Sequence, residues 1–413
     1  MSSILNTNSV TSGLILYADM GNSGKSYIGA PTTNLAYNNA SAGSLYLAAP
    51  YVWINSGTFT ENDNETDISP PSIPYAYKLP NNLRIISGLC TISGGIHFGC
   101  ALTTVAASTT YTISVWFRQN RAGATDPYMR TIVTNSQIGV FYYNGVSGAA
   151  NWPVNQWIRI TATGTTAAGE TGVFLSNYLV TAGDKIWYYG QQVEQRSSAT
   201  ALVAGTRTTA QALFDISPTA STFTATGSNL GYYTDHITVP NVNDSYLDIT
   251  PASNYRMGNS NFTLNTWVKQ LDNSANIFAE SRGGTPSLCG FFWVANYPGA
   301  GQMSVFLNYG GSQYVYASSI STLPYGSIQM LTAVIDRTSS SIFLYLNGLL
   351  WNTITGTNTG NISPTAGDLY RIGFDQGGST TNMEVYSYSH YSRSLSASEV
   401  MQNFNALRGR YGL

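Results

Sequence analysis

Apolar and polar residues alternate along most of this 413-residue chain in short runs of period two, the spacing of strands with one buried face. The clearest run is residues 261–270, NFTLNTWVKQ, with an earlier echo at residues 110–119, TYTISVWFRQ. In the later run Phe262, Leu264, Thr266 and Val268 share one face, as Tyr111, Ile113, Val115 and Phe117 do in the echo. The opposite faces carry Thr263, Asn265 and Trp267, or Thr112, Ser114 and Trp116. One strand design used twice, about a domain length apart, predicts two similar β units. A chance match of short strands is the competing reading.

The remaining chain keeps the rhythm. Strands are predicted at 13–19, 51–60, 75–79, 97–102, 110–119, 130–135, 139–143, 157–163, 171–176 and 185–192. Residues 197–209, SSATALVAGTRTT, are small and weakly patterned and form the best boundary candidate. Beyond them strands are predicted at 212–216, 221–226, 236–239, 246–249, 261–270, 276–281, 290–295, 303–309, 313–318, 329–336, 341–347, 349–355, 368–374 and 384–391. Asn347-Gly348 between two apolar runs is a two-residue hairpin signal, because both turn positions need positive φ. The pattern predicts an all-β chain of two β-sandwich or jelly-roll domains with one short C-terminal helix. That helix starts at a capping box, Ser396 to Glu399, carries the stripe Val400, Phe404 and Leu407, and is expected to stop at Gly409. Its expected place is over an open end or edge. Residues 1–12 are polar and read as an arm, loose or bound to a partner.

Composition narrows the partners. Charged residues make up only 9% against about 25% in an average globular protein, so Ser, Thr, Asn, Gln and 40 Gly must keep the surface wet. Hydrophobic content of 43% and 29 Tyr suit strand-rich cores. With net charge −2 and no Lys/Arg run, nothing here attracts a phosphate backbone, and nucleic acid is not expected as a partner. No apolar run reaches membrane-spanning length, and MSSILNTNSV shows no secretory signal. The expectation is a protein made in a cytoplasm and not inserted in a membrane. Cys90, Cys100 and Cys289 make no disulfide framework; a pairing of the first two across a hairpin and buried thiols are the alternatives.

Candidate chemistry is thin. Residues 21–26, GNSGKS, resemble a phosphate-loop ending, but Asp19 replaces the first Gly and no helix follows, so a turn is expected. Glu61, Asp63 and Glu65 alternate as paired carboxylates of glycosidases can. Asn62 and Asn64 stand between them where a buried face needs apolar residues, which favours a solvated loop, with weak Ca²⁺ binding second. His97, His236 and His390 are far apart and lack zinc-ligand spacing. Neither a catalytic residue nor a metal ligand nor a cofactor is predicted. Aromatic rings remain, as flat platforms for sugars. The candidates are Trp53, Tyr142, Tyr143 and Trp152, with Trp187 to Tyr189 in the same region; core and subunit contact are the competing roles.

Residues 386–413, YSYSHYSRSLSASEVMQNFNALRGRYGL, with NFTLNTWVKQ, LYLNGLLW and VNDSYLDI, resemble laminin-G-like, concanavalin-A-like jelly rolls, especially copies in tailed-bacteriophage structural proteins. The likeness covers about 210–413 and departs at Pro240-Asn241-Val242, which lacks a usual Gly, and at His390, where an aliphatic residue is usual. TSGLILYADMGNSGKSYIG, residues 11–29, resembles the opening strand of the same family. The intervening stretch resembles carbohydrate-binding-module-like jelly rolls of phage virion proteins. The resemblance implies nesting: an arm at 1–12, a discontinuous laminin-G-like sandwich of 13–30 plus 206–413, and an inserted jelly roll at 31–205. It also implies a non-enzymatic virion surface protein, associated with tail or fibre or decorating the capsid. Its implied partners are other virion proteins, further copies of itself (a trimer being common) and host polysaccharide. A dedicated glycan-binding adhesin is the alternative, and a glycosidase using Glu61 and Glu65 ranks last.

Overall fold

The computed structural model describes residues 9–22, 25–33, 35, 53–54, 59–62, 68–69, 86–90, 96–102, 105–179, 181–203, 206–227, 229–240, 245–272, 276–283, 289–297, 301–310, 313–319, 321–356, 360–363, 367–373 and 381–413. The chain divides into two compact units, Met1–Pro31 with Thr208–Leu413, and Thr32–Arg207. At the two ends of the second, Thr206–Arg207 pairs antiparallel with Thr32–Thr33. That ribbon brings the two ends of the middle unit side by side, with Thr33 Oγ1 3.1 Å from Thr206 Oγ1.

The discontinuous unit is a concanavalin-A-like sandwich of an eight-stranded and a seven-stranded antiparallel sheet. Phe262–Gln270 is central to the first, between Gln329–Asp336 and Met383–Tyr391. Its Phe262, Leu264 and Val268 enter the apolar core between the sheets, with Leu16 and Ala18 of Leu14–Asp19 and Phe291, Trp293, Val305 and Leu307 of the opposing sheet. Trp267 faces the other way. It sits in a second apolar cluster with Met330, Tyr345, Val400 and Leu407, outside the eight-stranded sheet. The helix Ala397–Leu407 therefore covers a sheet face and not an end or edge, since an outward Trp, Met and Tyr need an apolar cover. Its capping box forms: Ser396 Oγ accepts from the Glu399 amide at 3.3 Å, and Glu399 accepts from the Ser396 amide at 2.9 Å. Arg393 adds two charge-assisted bonds that hold the Glu399 carboxyl down to about 2. Gly409 does not end the helix. A 3-10 turn, Arg408–Tyr411, continues to Gly412 at φ 71°, extended by the Arg410–Asp19 ion pair.

The arm is anchored at its root. Val10 is buried, its amide donates to Asn403 Oδ1 at 2.9 Å and its carbonyl accepts from Tyr391 Oη at 3.2 Å. Two predicted strands are displaced by side-chain competition for backbone groups. At 212–216 only isolated bridges form, because the Asp215 carboxylate takes the amides of Tyr17, Ser217 and Ser221. At 130–135 the strand is Tyr128–Thr131, since Glu170 takes the amides of Val133 and Thr134 and turns the chain. The predicted strand at 75–79 lies outside the described residues.

The middle unit is also a sandwich, of a seven-stranded and a five-stranded sheet. Thr110–Gln119 lies between Ile158–Thr165 and Lys185–Glu194 and sends Tyr111, Ile113, Val115 and Phe117 inward. Across the core stand Met129, Val173 and Leu175 of the other sheet. Ile86–Cys90, unpredicted because Gly88 breaks the alternation, joins the seven-stranded sheet. Cys90 is opposite Phe59 there, whereas Cys100 is opposite Leu175 in the five-stranded sheet, so no hairpin pairs them. Cys289 is a buried free thiol.

Candidate glycan-binding surface

The sequence-predicted rings separate. Trp152 is 3% exposed, edge-on to Phe117 at 5.7 Å, and its Nε1 donates to the Val146 carbonyl at 2.9 Å. It follows the short turn Ala149–Asn151 into the core and offers no ring face to a ligand. Tyr142 and Tyr143 point to opposite sides, as neighbours on a strand must: Tyr142 is 47% exposed and opposite Thr161, while Tyr143 packs on the core. The strand Trp53–Ile54 is described by its backbone, and the Trp53 ring lies outside the described residues. Trp187 and Tyr189 lie on the outer face of the middle unit's seven-stranded sheet, at 7% and 8% exposure.

The other motifs settle into scaffold roles. Glu61 is opposite Gly88 at a sheet edge, and Asp63 and Glu65 lie outside the described residues. The phosphate-loop-like segment is a turn: the Asn22 carbonyl receives the amides of Lys25, Ser26 and Tyr27, and Ser26 Oγ accepts from the Asp19 amide at 2.8 Å. His390 is wholly buried among Tyr255, Phe262, Phe291 and Tyr370, with Nδ1 2.9 Å from Tyr370 Oη. Burial pushes its imidazole down to about 3, so it is neutral and acts as a packed polar ring in the aliphatic slot. Among the described residues no three His, Cys, Asp or Glu side chains gather as a metal site would need.

The seven-stranded sheet of the discontinuous unit carries a more coherent array. Strand register aligns Thr224, Asp248, Arg371, Glu280, Phe292, Phe306 and Tyr316 in one row across all seven strands. The row lies on the face away from the core, because Phe291, Trp293, Val305 and Leu307 alternate inward. One half is charged. Arg371 Nε donates to Asp248 Oδ1 at 3.0 Å, and Arg282 Nε donates to the buried Glu280 carboxylate at 2.9 Å. The guanidinium groups also cap rings, Arg371 over Tyr246 at 4.3 Å and Arg282 over Phe292 at 4.8 Å. Gly290 makes this close strand crossing feasible: at φ 141° any Cβ would stand 1.7 Å from the Ser281 carbonyl oxygen.

The other half is aromatic and opens outward. Phe306 is 6.0 Å from Phe292, stacks on Tyr316 at 5.1 Å and 20°, and meets Tyr297 at 5.5 Å. Phe292 and Phe306 are buried, whereas Tyr297 is 51% and Tyr316 46% exposed. Two accessible phenol rings thus rest on a fixed aromatic base. Such a surface can stack on the C–H face of a pyranose while the hydroxyl rims bond to its oxygens. Tyr297 and Tyr316 were not singled out by the sequence. The available signal was the recurrence of aromatics on the non-core face of successive strands, in GFFWVAN, MSVFLNY and YVYAS.

Among curated proteins none matches the chain. Solved structures similar to parts of it include a heptameric SAP-like pentraxin from Limulus polyphemus, at 16% identity over 34% of this chain and 68% of that one, TM-score 0.30. The binding domain of Paraclostridial Mosquitocidal Protein 1 is 13% identical over 47% of this chain and 49% of that one, TM-score 0.38, so this chain spans about half of its length. Domain 4 of AbnA, an extracellular arabinanase from Geobacillus stearothermophilus solved with arabinotriose, is 15% identical over 46% and 91%, TM-score 0.37. No residue role is carried across from these structures. Residues 232–401, which include Tyr297, Phe306 and Tyr316, match the family of the concanavalin A-like lectin/glucanases superfamily.

Proposed function

We propose that this protein is a non-enzymatic glycan-binding component of a bacteriophage virion surface, with the Tyr297–Phe306–Tyr316 platform as its contact for polysaccharide. The observation that carries the binding reading is the pair of half-exposed phenol rings held on a buried Phe. It is supported by the lectin-type family match over the segment that contains them. The virion setting rests on the resemblance of both halves of the sequence to phage structural jelly rolls, and on a surface kept wet by uncharged polar residues. In this setting the protein is part of a tail or fibre or decorates the capsid, associates as a homo-oligomer such as a trimer, and is put together in the host cytoplasm. The middle unit is then a carbohydrate-module-like guest in a laminin-G-like host.

A glycan array followed by calorimetry on the full chain tests the binding reading. The protein binds at least one neutral host-surface polysaccharide, and replacing both Tyr297 and Tyr316 by Ala weakens it about tenfold, the sum of two ring contacts near 0.7 kcal/mol each. Equal binding by the double variant, or no glycan bound at high protein concentration, overturns it. Release of new reducing ends from a bound polysaccharide would replace it with the glycosidase reading. Absence of the chain from purified virions would remove the phage setting alone.

A further inference from the structure

We infer that the outer face of the middle unit's seven-stranded sheet holds a second site of different chemistry, one for a carboxylate-bearing pyranose such as a uronic acid in an acidic polysaccharide. Register sets Trp187 directly opposite Arg118 and Tyr189 opposite Trp116. The Trp187 ring is flanked by two cations, with Arg118 Cζ 5.6 Å and Lys185 Nζ 5.1 Å from its centroid. Trp157 meets Tyr189 edge-on at 6.4 Å and donates Nε1 to the Ser69 carbonyl at 3.0 Å, and Ile68 packs on the same rings. Trp116, Trp157, Arg118 and Lys185 are all partly accessible.

The unusual feature is a group of donors without acceptors. Trp116 Nε1, Trp187 Nε1 and Arg118 Nε are buried and find no acceptor among the described residues, although they belong to neighbouring side chains on one sheet face. Buried N–H groups are nearly always paired, and leaving three together unpaired opposes folding unless something accepts from them. Among the described residues, the neighbouring carboxylates Asp184 and Glu194 are engaged elsewhere. Asp184 takes two bonds from Arg121, and Glu194 is held by Gln192 and Thr200 further along the sheet. Rings, the Arg118 guanidinium and three free N–H donors ask for a ligand with a flat apolar face, a negative charge and several acceptor oxygens. A neutral sugar lacks the charge, and an inorganic anion lacks the face.

Calorimetry and tryptophan emission on the full chain, with tetragalacturonate as probe, test this. Binding is expected with a shift in emission, weakened about tenfold by Arg118→Gln and by about 0.5 M NaCl. The fully methyl-esterified tetramer, which keeps the rings and loses the charge, binds the parent protein at least about tenfold more weakly. The Tyr297→Ala/Tyr316→Ala variant binds tetragalacturonate as the parent does, which separates this site from the neutral-glycan platform. Equal affinity for the charged and esterified tetramers, unchanged binding by a folded Arg118→Gln variant, or no binding of tetragalacturonate overturns the inference. The esterified-tetramer comparison needs no variant and so stands if a substitution impairs folding.

Discussion

The Trp267 indole lies parallel to the Phe404 ring, centroids 5.6 Å apart and planes 5° apart. Tyr411 closes on the same indole at 4.7 Å and Tyr386 on Tyr411 at 5.2 Å, while Arg410 of the same turn bonds to the buried Asp19 carboxylate. The C-terminal helix and its 3-10 extension are therefore part of the sandwich, covering the outside of its central strand. Trp267→Ala should cost about 3–5 kcal/mol, by lost burial and the cavity left behind. Phe404→Ala, on a half-buried ring, should cost about half that. Urea unfolding checks both; a Trp267→Ala midpoint equal to the parent's would mean the helix is not bearing on the sheet.

His390 makes stability depend on pH with a definite sign. Its folded value, about 3, lies below its ordinary value of 6.5, so the unfolded chain binds a proton that the native state refuses. The stability is full above 6.5 and falls as pH drops toward 3, at up to about 1.4 kcal/mol per pH unit. Glu399 shifts stability in the same direction, but in the lower window from 4.5 toward 2. The slope between pH 4.5 and 6.5 should thus be steeper in the parent than in His390→Leu. Parallel plots of unfolding free energy against pH for the two proteins would remove His390 as the cause.

Gly290 carries a backbone condition that no side chain meets. Its φ of 141° is costly for an L-residue, and a Cβ would stand 1.7 Å from the Ser281 carbonyl oxygen in the paired strand. Gly290→Ala should cost about 3 kcal/mol or more, by strain and strand separation together. The damage should spread to the glycan platform, because Cys289–Ala295 holds Phe292 beneath Phe306. Denaturation and glycan binding measured on one preparation check this. Unchanged stability would place the strand crossing elsewhere.

The sequence was informative wherever one strand fixes its own fate. NFTLNTWVKQ and TYTISVWFRQ both form central strands, with alternate residues in their cores. Asn347 and Gly348 take φ 50° and 80° in the expected hairpin, and Ser396 with Glu399 caps the expected helix. What escaped depends on contacts between distant segments. Nothing local to Asp215 says that its carboxylate takes the Tyr17 amide and so prevents a regular strand. Nothing local to Trp267 says which segment will cover it. The glycan platform is a property of register, because Phe292, Phe306 and Tyr316 become a row only when three strands are aligned. Trp152, one of the candidate platform rings, takes the competing core role for the same reason: only the fold places Phe117 against it.

The organisation of the chain makes its own prediction. Between Pro31 and Thr208 the middle unit leaves and returns through paired strands, and the flanking residues of the discontinuous unit are already bonded to each other. The Ile28 amide donates to the Ala212 carbonyl at 3.0 Å, the Phe214 amide to the Ser26 carbonyl at 2.6 Å, and Ser26 Oγ to the Phe214 carbonyl at 2.8 Å. Replacing residues 32–207 by a short Gly/Ser linker removes no strand from either sheet of the discontinuous unit. It also shortens the loop that must close when Leu14–Asp19 joins the sheet, which lowers the entropy cost slightly. The excised protein should unfold in one cooperative transition, keep a β-type circular dichroism spectrum and retain binding through Tyr297 and Tyr316. A product that melts without cooperativity or aggregates would mean that Leu14–Asp19 needs the middle unit to find its place beside Met383–Tyr391, and that the two units are not separable.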